Sequence, residues 1–404
     1  MKSGWVIKKL SDLGTIVRGK GIRRNETVGR GLPCIRYGEI YTSYNYILDC
    51  PRSYVSKDVF ARCPKIKGGD VIFTLTGENK EEIAKALAYL GKDEIAAGGD
   101  LAIWSKHGCE PKFLAYMMYA PKLIEAKARA SNGDIIVHAS VKKMLEIEIP
   151  VPPIPEQKRI VAKIDAAFEK IDKLKANAER NLANAKELFQ SALDEAMRPK
   201  KGWVEKRLGE VGACKNGLNF KRVAVGESID IVGVGDFKKG LFVDDTTSLE
   251  RLTLDKLPEQ DWYLQPNDIV FVRSNGSKAL VGRAVIVKTR RLLTFSGFCI
   301  RYRIEDKNVN ADFLARIVSS ERFRKKMLVG RNASTINNVT QPILLAQVIG
   351  LPSLVEQKQI VKRLDSLSEK VKSLEQHYTR QVADCTELRQ SVLREAFEGR
   401  LKKE

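Results

Sequence analysis

The chain has 404 residues, 43% hydrophobic and 30% charged, with a formal net charge of +20 from 70 Lys and Arg against 50 Asp and Glu. That length buries two or three cores. The charge favours a polyanion as partner over a membrane surface, because the basic residues are spread along the chain and do not gather in one amphipathic stretch. No apolar signal region opens the sequence, no apolar run reaches about 18 residues, and the seven cysteines form no Cys-x-x-Cys pair. These features predict a cytoplasmic protein with reduced thiols, and neither a disulfide scaffold nor a zinc site.

Residues 1–154 read as a mixed domain with more strand than helix. Ile35-Arg36-Tyr37-Gly38-Glu39-Ile40 is a strand followed by an acidic turn, and Asp70-Val71-Ile72-Phe73 is a short β-branched run after Gly69. A helical stretch is expected near Pro111 to Ala130. Two polar stretches stand out, Thr74 to Lys80 and Ser131 to Asp134. Pro152-Pro153-Ile154-Pro155 then ends the strand-rich region, and Pro155 suits the first turn of a helix because no N–H is needed there.

Residues 155–198 contain no Gly or Pro after Pro155 and read as one helix of roughly 60 Å at 1.5 Å per residue. Ile160, Ile164, Ala167, Ile171, Leu174, Ala178, Asn181, Ala185, Leu188 and Ala192 alternate at spacings of four and three, the pattern of a coiled-coil seam.

From residue 199 the design repeats. Gly4-Trp5-Val6 returns as Gly202-Trp203-Val204, and Asp70-Val71-Ile72-Phe73 as Asp268-Ile269-Val270-Phe271, both at an offset of 198. Residues 199–350 are therefore a second domain of the same kind, with a helical stretch near Ala311 to Leu328. Residues 351–404 form the second helix at an offset of 200: six of the ten residues from Glu156 to Asp165 match Glu356 to Asp365, and seven of ten match between Glu187–Ala196 and Glu387–Ala396. Its expected seam is Ile360, Leu364, Leu367, Val371, Leu374, Tyr378, Gln381, Cys385, Leu388 and Val392. A long helix apolar along one stripe needs a partner, and the nearest is its own repeat. The expected fold is thus α+β: two tandem, mixed, strand-rich domains, each followed by a long helix, the helices pairing as an antiparallel coiled coil with pseudo-two-fold symmetry.

The copies share a frame and differ after it. Thr74-Leu75-Thr76-Gly77-Glu78-Asn79-Lys80 stands where the second domain has Val272-Arg273-Ser274-Asn275-Gly276-Ser277-Lys278, and Ser131 to Asp134 corresponds to Gly330 to Asn338. Arg, Asn, Ser and Thr beside Gly are side chains that bond base edges and phosphates, and they are equally the residues of ordinary turns. Same frame with different loops suggests two readers tuned to different targets. The candidate DNA contacts are Thr76, Asn79, Lys80, Arg273, Ser274, Asn275, Lys278, Arg331 and Asn337. There is no Gly-x-x-x-x-Gly-Lys-Ser/Thr phosphate loop and no Asn/Asp-Pro-Pro-Tyr run, and His107, His138 and His377 are isolated in sequence. Nothing gathers into a catalytic or metal-binding constellation, which favours a non-enzyme.

This layout resembles the specificity subunit of Type I restriction-modification systems. The resemblance is carried by Pro152 to Val161 and Leu351 to Val361, by the helix endings Ser191 to Met197 and Ser391 to Leu401, and by the Gly4-Trp5 and Gly202-Trp203 openings. Departures are Val355 where the first copy has Pro155, and Gly38-Glu39 where Gly-Asp is usual. The resemblance implies two target-recognition domains, each reading one half of a bipartite asymmetric site in double-stranded DNA, with the helices setting the spacer. It also implies two docked methyltransferase subunits that bind S-adenosylmethionine, motor-nuclease subunits in the restriction complex, and no cofactor in this chain. Competing readings are a stand-alone nuclease or methyltransferase, which would turn over without partners, and a coiled-coil adaptor with no DNA role, against which the charge argues.

Overall fold

The computed structural model describes residues 4–133, 136–328 and 338–400. By contacts the chain divides into two compact units, residues 1–179 with 379–404, and residues 180–378. Each unit therefore holds one strand-rich domain, the first half of the long helix that follows it and the second half of the other long helix.

In the first unit, Val71–Thr74 lies at the centre of a five-stranded sheet ordered Thr15–Arg18, Leu101–Ser105, Val71–Thr74, Ala86–Tyr89, Ile47–Leu48. All four residues of Val71–Thr74 are buried because both faces of the sheet are covered. Val71 and Phe73 enter a core shared with Trp104, Phe113 and the start of the long helix, whereas Ile72 enters a second core with Ile35, Leu87 and Ile103. Side chains alternate across a strand, so a uniformly apolar run marks a strand with a core on each side. A second five-stranded sheet contains Leu32–Ile35 between Ser53–Val55 and Ile95–Ala97.

The second unit repeats this plan. Its central sheet runs Gly212–Asn216, Cys299–Ile304, Ile269–Val272, Ala284–Val287, Phe242–Val243, and Glu227–Val232 lies between Glu250–Leu254 and Leu293–Phe295. Ile269 and Phe271 face the helix-side core, Val270 and Val272 the opposite one. The acidic turn residues do the same job in both copies. Glu39 Oε2 accepts from the Arg36 amide at 2.8 Å, and Asp236 Oδ2 accepts from the Gly233 amide at 2.9 Å. Asp70 and Asp268 likewise cap the turns entering the central strands, taking the amides of Lys67 and Gln265, each at 2.8 Å.

The long helices span Ile154–Ala196 and Leu354–Phe397. In the first unit Arg389 pairs with Asp172 and lies 4.7 Å over the Phe168 ring, and Cys385, Leu393 and Phe397 join the core that holds Ile160, Ile164 and Ile171. In the second unit Leu193 and Met197 share a core with Ile360 and Leu364. Within each unit the beginning of one helix thus packs against the end of the other, an antiparallel pairing.

The seam departs from the expected one at Leu174, Asn181, Leu188, Leu374, Gln381 and Leu388, which are exposed. Ile160, Ile164, Ile171, Ala178, Ala185, Leu364, Val371 and Cys385 are buried, and Ile360 and Leu367 are partly buried. Leu174, Leu188, Leu374 and Leu388 are instead 57, 54, 39 and 46% exposed. The inner positions fall one residue later, at Phe168, Lys175, Leu182 and Phe189 in the first helix and Glu375, Val382 and Arg389 in the second. Two frames of a 3.5-residue repeat share alternate members. Leucines marked the wrong frame because a charged residue, Arg389, takes an inner position, its guanidinium lying over the Phe168 ring and pairing with Asp172.

Candidate nucleic-acid interface

The loops that diverge between the copies grow from matching strand ends, and the structure brings them together in pairs. In the first domain Thr76–Gly77 forms a small sheet with Val137–Ala139, which also pairs with Ser131–Asn132. Thr76 Oγ1 lies 3.2 Å from His138 Nδ1. In the second domain Ser274 bridges Asn338, and the Val339 amide donates to the Arg273 carbonyl at 2.7 Å. Two stretches about 60 residues apart in sequence therefore form one tip in each domain.

Local chemistry fixes these tips. Asn79 Oδ1 accepts from the Glu82 amide and Asn275 Oδ1 from the Ser277 amide, each at 2.8 Å, so both asparagines hold turns with their oxygens. Arg273 is half-buried, and its Nε is buried without a hydrogen-bond partner. Ser274 is partly exposed; Lys80 and Lys278 are exposed. Arg331 and Asn337 lie outside the described residues.

Gly19 and Gly217 bring a further loop close to each tip. A Cβ on Gly19 would meet the Gly98 carbonyl oxygen at 1.9 Å, and one on Gly217 would meet that of Ser296 at 2.1 Å, so only glycine permits the approach. In the second domain the result is a cleft of about 940 Å³, whose lining includes Asn219, Arg222, Lys239, Ser274, Asn275 and Phe298. Asn219, Arg222, Lys239 and Phe298 were not legible as site residues. They come from segments with no mutual sequence signal, although the paired glycines at offset 198 marked where those segments turn.

The cleft offers amide, hydroxyl and cationic groups beside an exposed ring, a set suited to nucleic-acid edges and phosphates. The thiol of Cys299 beneath it is pushed up to about 12 by burial and stays neutral. Among the described residues no three His, Cys, Asp or Glu side chains gather to hold a metal, and no helix is long and apolar enough to cross a membrane.

The family model described as the Type I restriction modification DNA specificity domain matches this chain twice, over residues 2–182 and 200–382. The StySPI specificity subunit of Salmonella potsdam is 25% identical over 99% of this chain and 90% of its own length. A chain solved in work on complex assembly and conformational transition of the type I R-M system superposes with a TM-score of 0.75 at 21% identity, covering 99% of both chains. The HsdS subunit from Thermoanaerobacter tengcongensis superposes with a TM-score of 0.60 at 18% identity, over 99% of this chain and 98% of that one. With the repeated frame, the divergent paired tips and both domain matches in hand, the chain belongs to the family of Type I restriction-modification DNA specificity subunits.

Proposed function

We propose that each strand-rich domain reads one half of a bipartite, asymmetric site in double-stranded DNA, through the paired tips around Thr76 and Ser274. The observation that carries this reading is the conservation of frame with divergence of tips: equal strands, equal turn caps and equal glycines present different side chains in the two domains. Two non-identical readers call for two non-identical half-sites, and the helical pair sets the unread length between them.

The chain's role in this reading is address and scaffold, without catalysis of its own. Two methyltransferase subunits, which bind S-adenosylmethionine, dock on it, and motor-nuclease subunits join them in the cytoplasm. The exposed leucines supply the docking contacts: Leu174 and Leu388 in the first unit, Leu188 and Leu374 in the second. Apolar side chains repeated at matched helical positions outside the seam are surface that a partner subunit can cover. Genome-wide mapping of N6-methyladenine, with this chain and a methyltransferase subunit co-expressed, tests the reading. A two-part motif with a fixed gap, present only with this chain, is expected; methylation independent of the chain overturns it.

A further inference from the structure

The two domains match closely enough that a position in one can be found in the other by its backbone bonds. Leu101 faces Thr74 in the first central sheet, as Cys299 faces Val272 in the second. The residues just before them, Asp100 and Phe298, take equivalent bonds: the Asp100 carbonyl accepts from the Leu75 amide at 2.7 Å, and the Phe298 carbonyl from the Arg273 amide at 2.8 Å. Each therefore sits against the root of its domain's divergent tip.

Both side chains point out of the fold. Phe298 is 54% exposed on a backbone anchored by the Arg273 and Ser274 amides, and it lines the cleft with Asn219, Arg222 and Asn275. Asp100 is exposed, and its carboxylate has no hydrogen bond or ion pair among the described residues, in a chain of net charge +20. A rigidly held exposed ring gains nothing from the free protein's own packing. A bare carboxylate on a DNA-facing tip is repelled by phosphates, and a donor on a base edge compensates for this.

We propose that Asp100 and Phe298 are equivalent base-contacting, specificity-determining positions, Asp100 accepting from a cytosine N4 amino group and Phe298 packing on a thymine C5-methyl group in the major groove. The assignment rests on the reading that each domain recognises one half-site. The residue types fit this code, in which acidic side chains take the cytosine amino group and apolar ones the thymine methyl.

The test uses the assembled methyltransferase complex, with binding to its methylated motif measured by fluorescence anisotropy and the motif mapped by sequencing. Asp100 has a φ of 59°, a left-handed conformation that asparagine also tolerates, so Asp100→Asn removes the charge and keeps the turn. It is expected to relax or change one G·C position in one half-site, with discrimination falling about tenfold. Phe298→Ala is expected to act only on the other half-site. Replacing the contacted thymine by deoxyuridine should weaken the wild type about fourfold, the worth of one buried methyl, and leave the variant indifferent. Specific wild-type binding with neither substitution shifting any base preference would sink this assignment and leave half-site reading intact. Equal weakening on all DNA would also sink it, as backbone contact. No specific binding by the wild-type complex would remove both.

Discussion

Gln157 and Gln357, 200 residues apart, bolt the two long helices to their domains with the same pair of hydrogen bonds. The Gln157 side-chain oxygen accepts from the Glu110 amide at 2.8 Å, and its nitrogen donates to the Pro152 carbonyl at 2.8 Å. Gln357 repeats this with the Asn310 amide at 2.8 Å and the Pro352 carbonyl at 2.9 Å, and both glutamines are 1% exposed. Eight residues on, Asp165 accepts from the Tyr116 hydroxyl at 2.5 Å and pairs with Lys112, while Asp365 pairs with Arg316 at the position matching Tyr116. The repeated stretch from Glu156 to Asp165 is thus a joint. Gln157→Ala strands a buried amide and a buried carbonyl and should cost the first unit roughly 2–4 kcal/mol. Urea denaturation measures this, and a loss below about 0.5 kcal/mol would show that the joint is not held this way.

The shifted seam separates two kinds of helix residue. Phe168, 6% exposed, packs at 5.3 Å from Tyr46 and 5.5 Å from Tyr116, so Phe168→Ala should destabilise the first unit by about 3 kcal/mol or more. Leu174→Glu and Leu388→Glu should each leave thermal unfolding within about 0.5 kcal/mol of wild type. Size-exclusion chromatography with the methyltransferase subunit should show those leucine variants losing the complex. A leucine variant that unfolds would restore the leucine frame as the true seam.

Lys127 is 2% exposed, and burial alone lowers its ammonium group from 10.5 to about 7. Its Nζ donates to the Ala84 carbonyl at 3.3 Å. Between pH 7 and 10.5 the unfolded chain holds a proton that the folded one releases, so this residue makes stability rise with pH across that window and level off below it. Lys127→Met should melt higher at pH 7 by roughly 3 °C or more and flatten the dependence between pH 7 and 10. Melting curves across that range read both effects, and an unchanged slope would assign the pH dependence elsewhere.

A chain of net charge +20 that binds DNA through phosphate contacts releases condensed counterions. Affinity of the assembled complex for its site should fall about a thousandfold or more between 50 and 200 mM salt. Titrations at several salt concentrations give the slope, and a nearly flat one would exclude a phosphate-lined groove.

Much of this architecture was readable from periodicity and repetition. The offsets of 198 and 200 pointed to two domains and two helices, and Glu39 with Asp236 marked matching turns, because an acidic side chain caps the backbone within three residues of itself. Thr76 and Ser274 stood out for a different reason, because the two copies diverge directly after a shared strand. What lay beyond local chemistry was not. The seam frame was decided by packing, which buried Phe168 under the Arg389 guanidinium and left Leu174 and Leu388 outside.

By itself the sequence determined the repeat, the two long helices, the central strand of each domain, the acidic turns at Glu39 and Asp236 and the basic charge, since each depends on residues adjacent or periodic along the chain. Only the tertiary structure decided that Ser274 meets Asn338, that Gly217 lets its loop close on Ser296, and that Asp100 and Phe298 stand at equivalent points beside the tips. Those relationships join residues far apart in sequence through backbone bonds and close approach, and no local pattern encodes which distant strand end will be the neighbour.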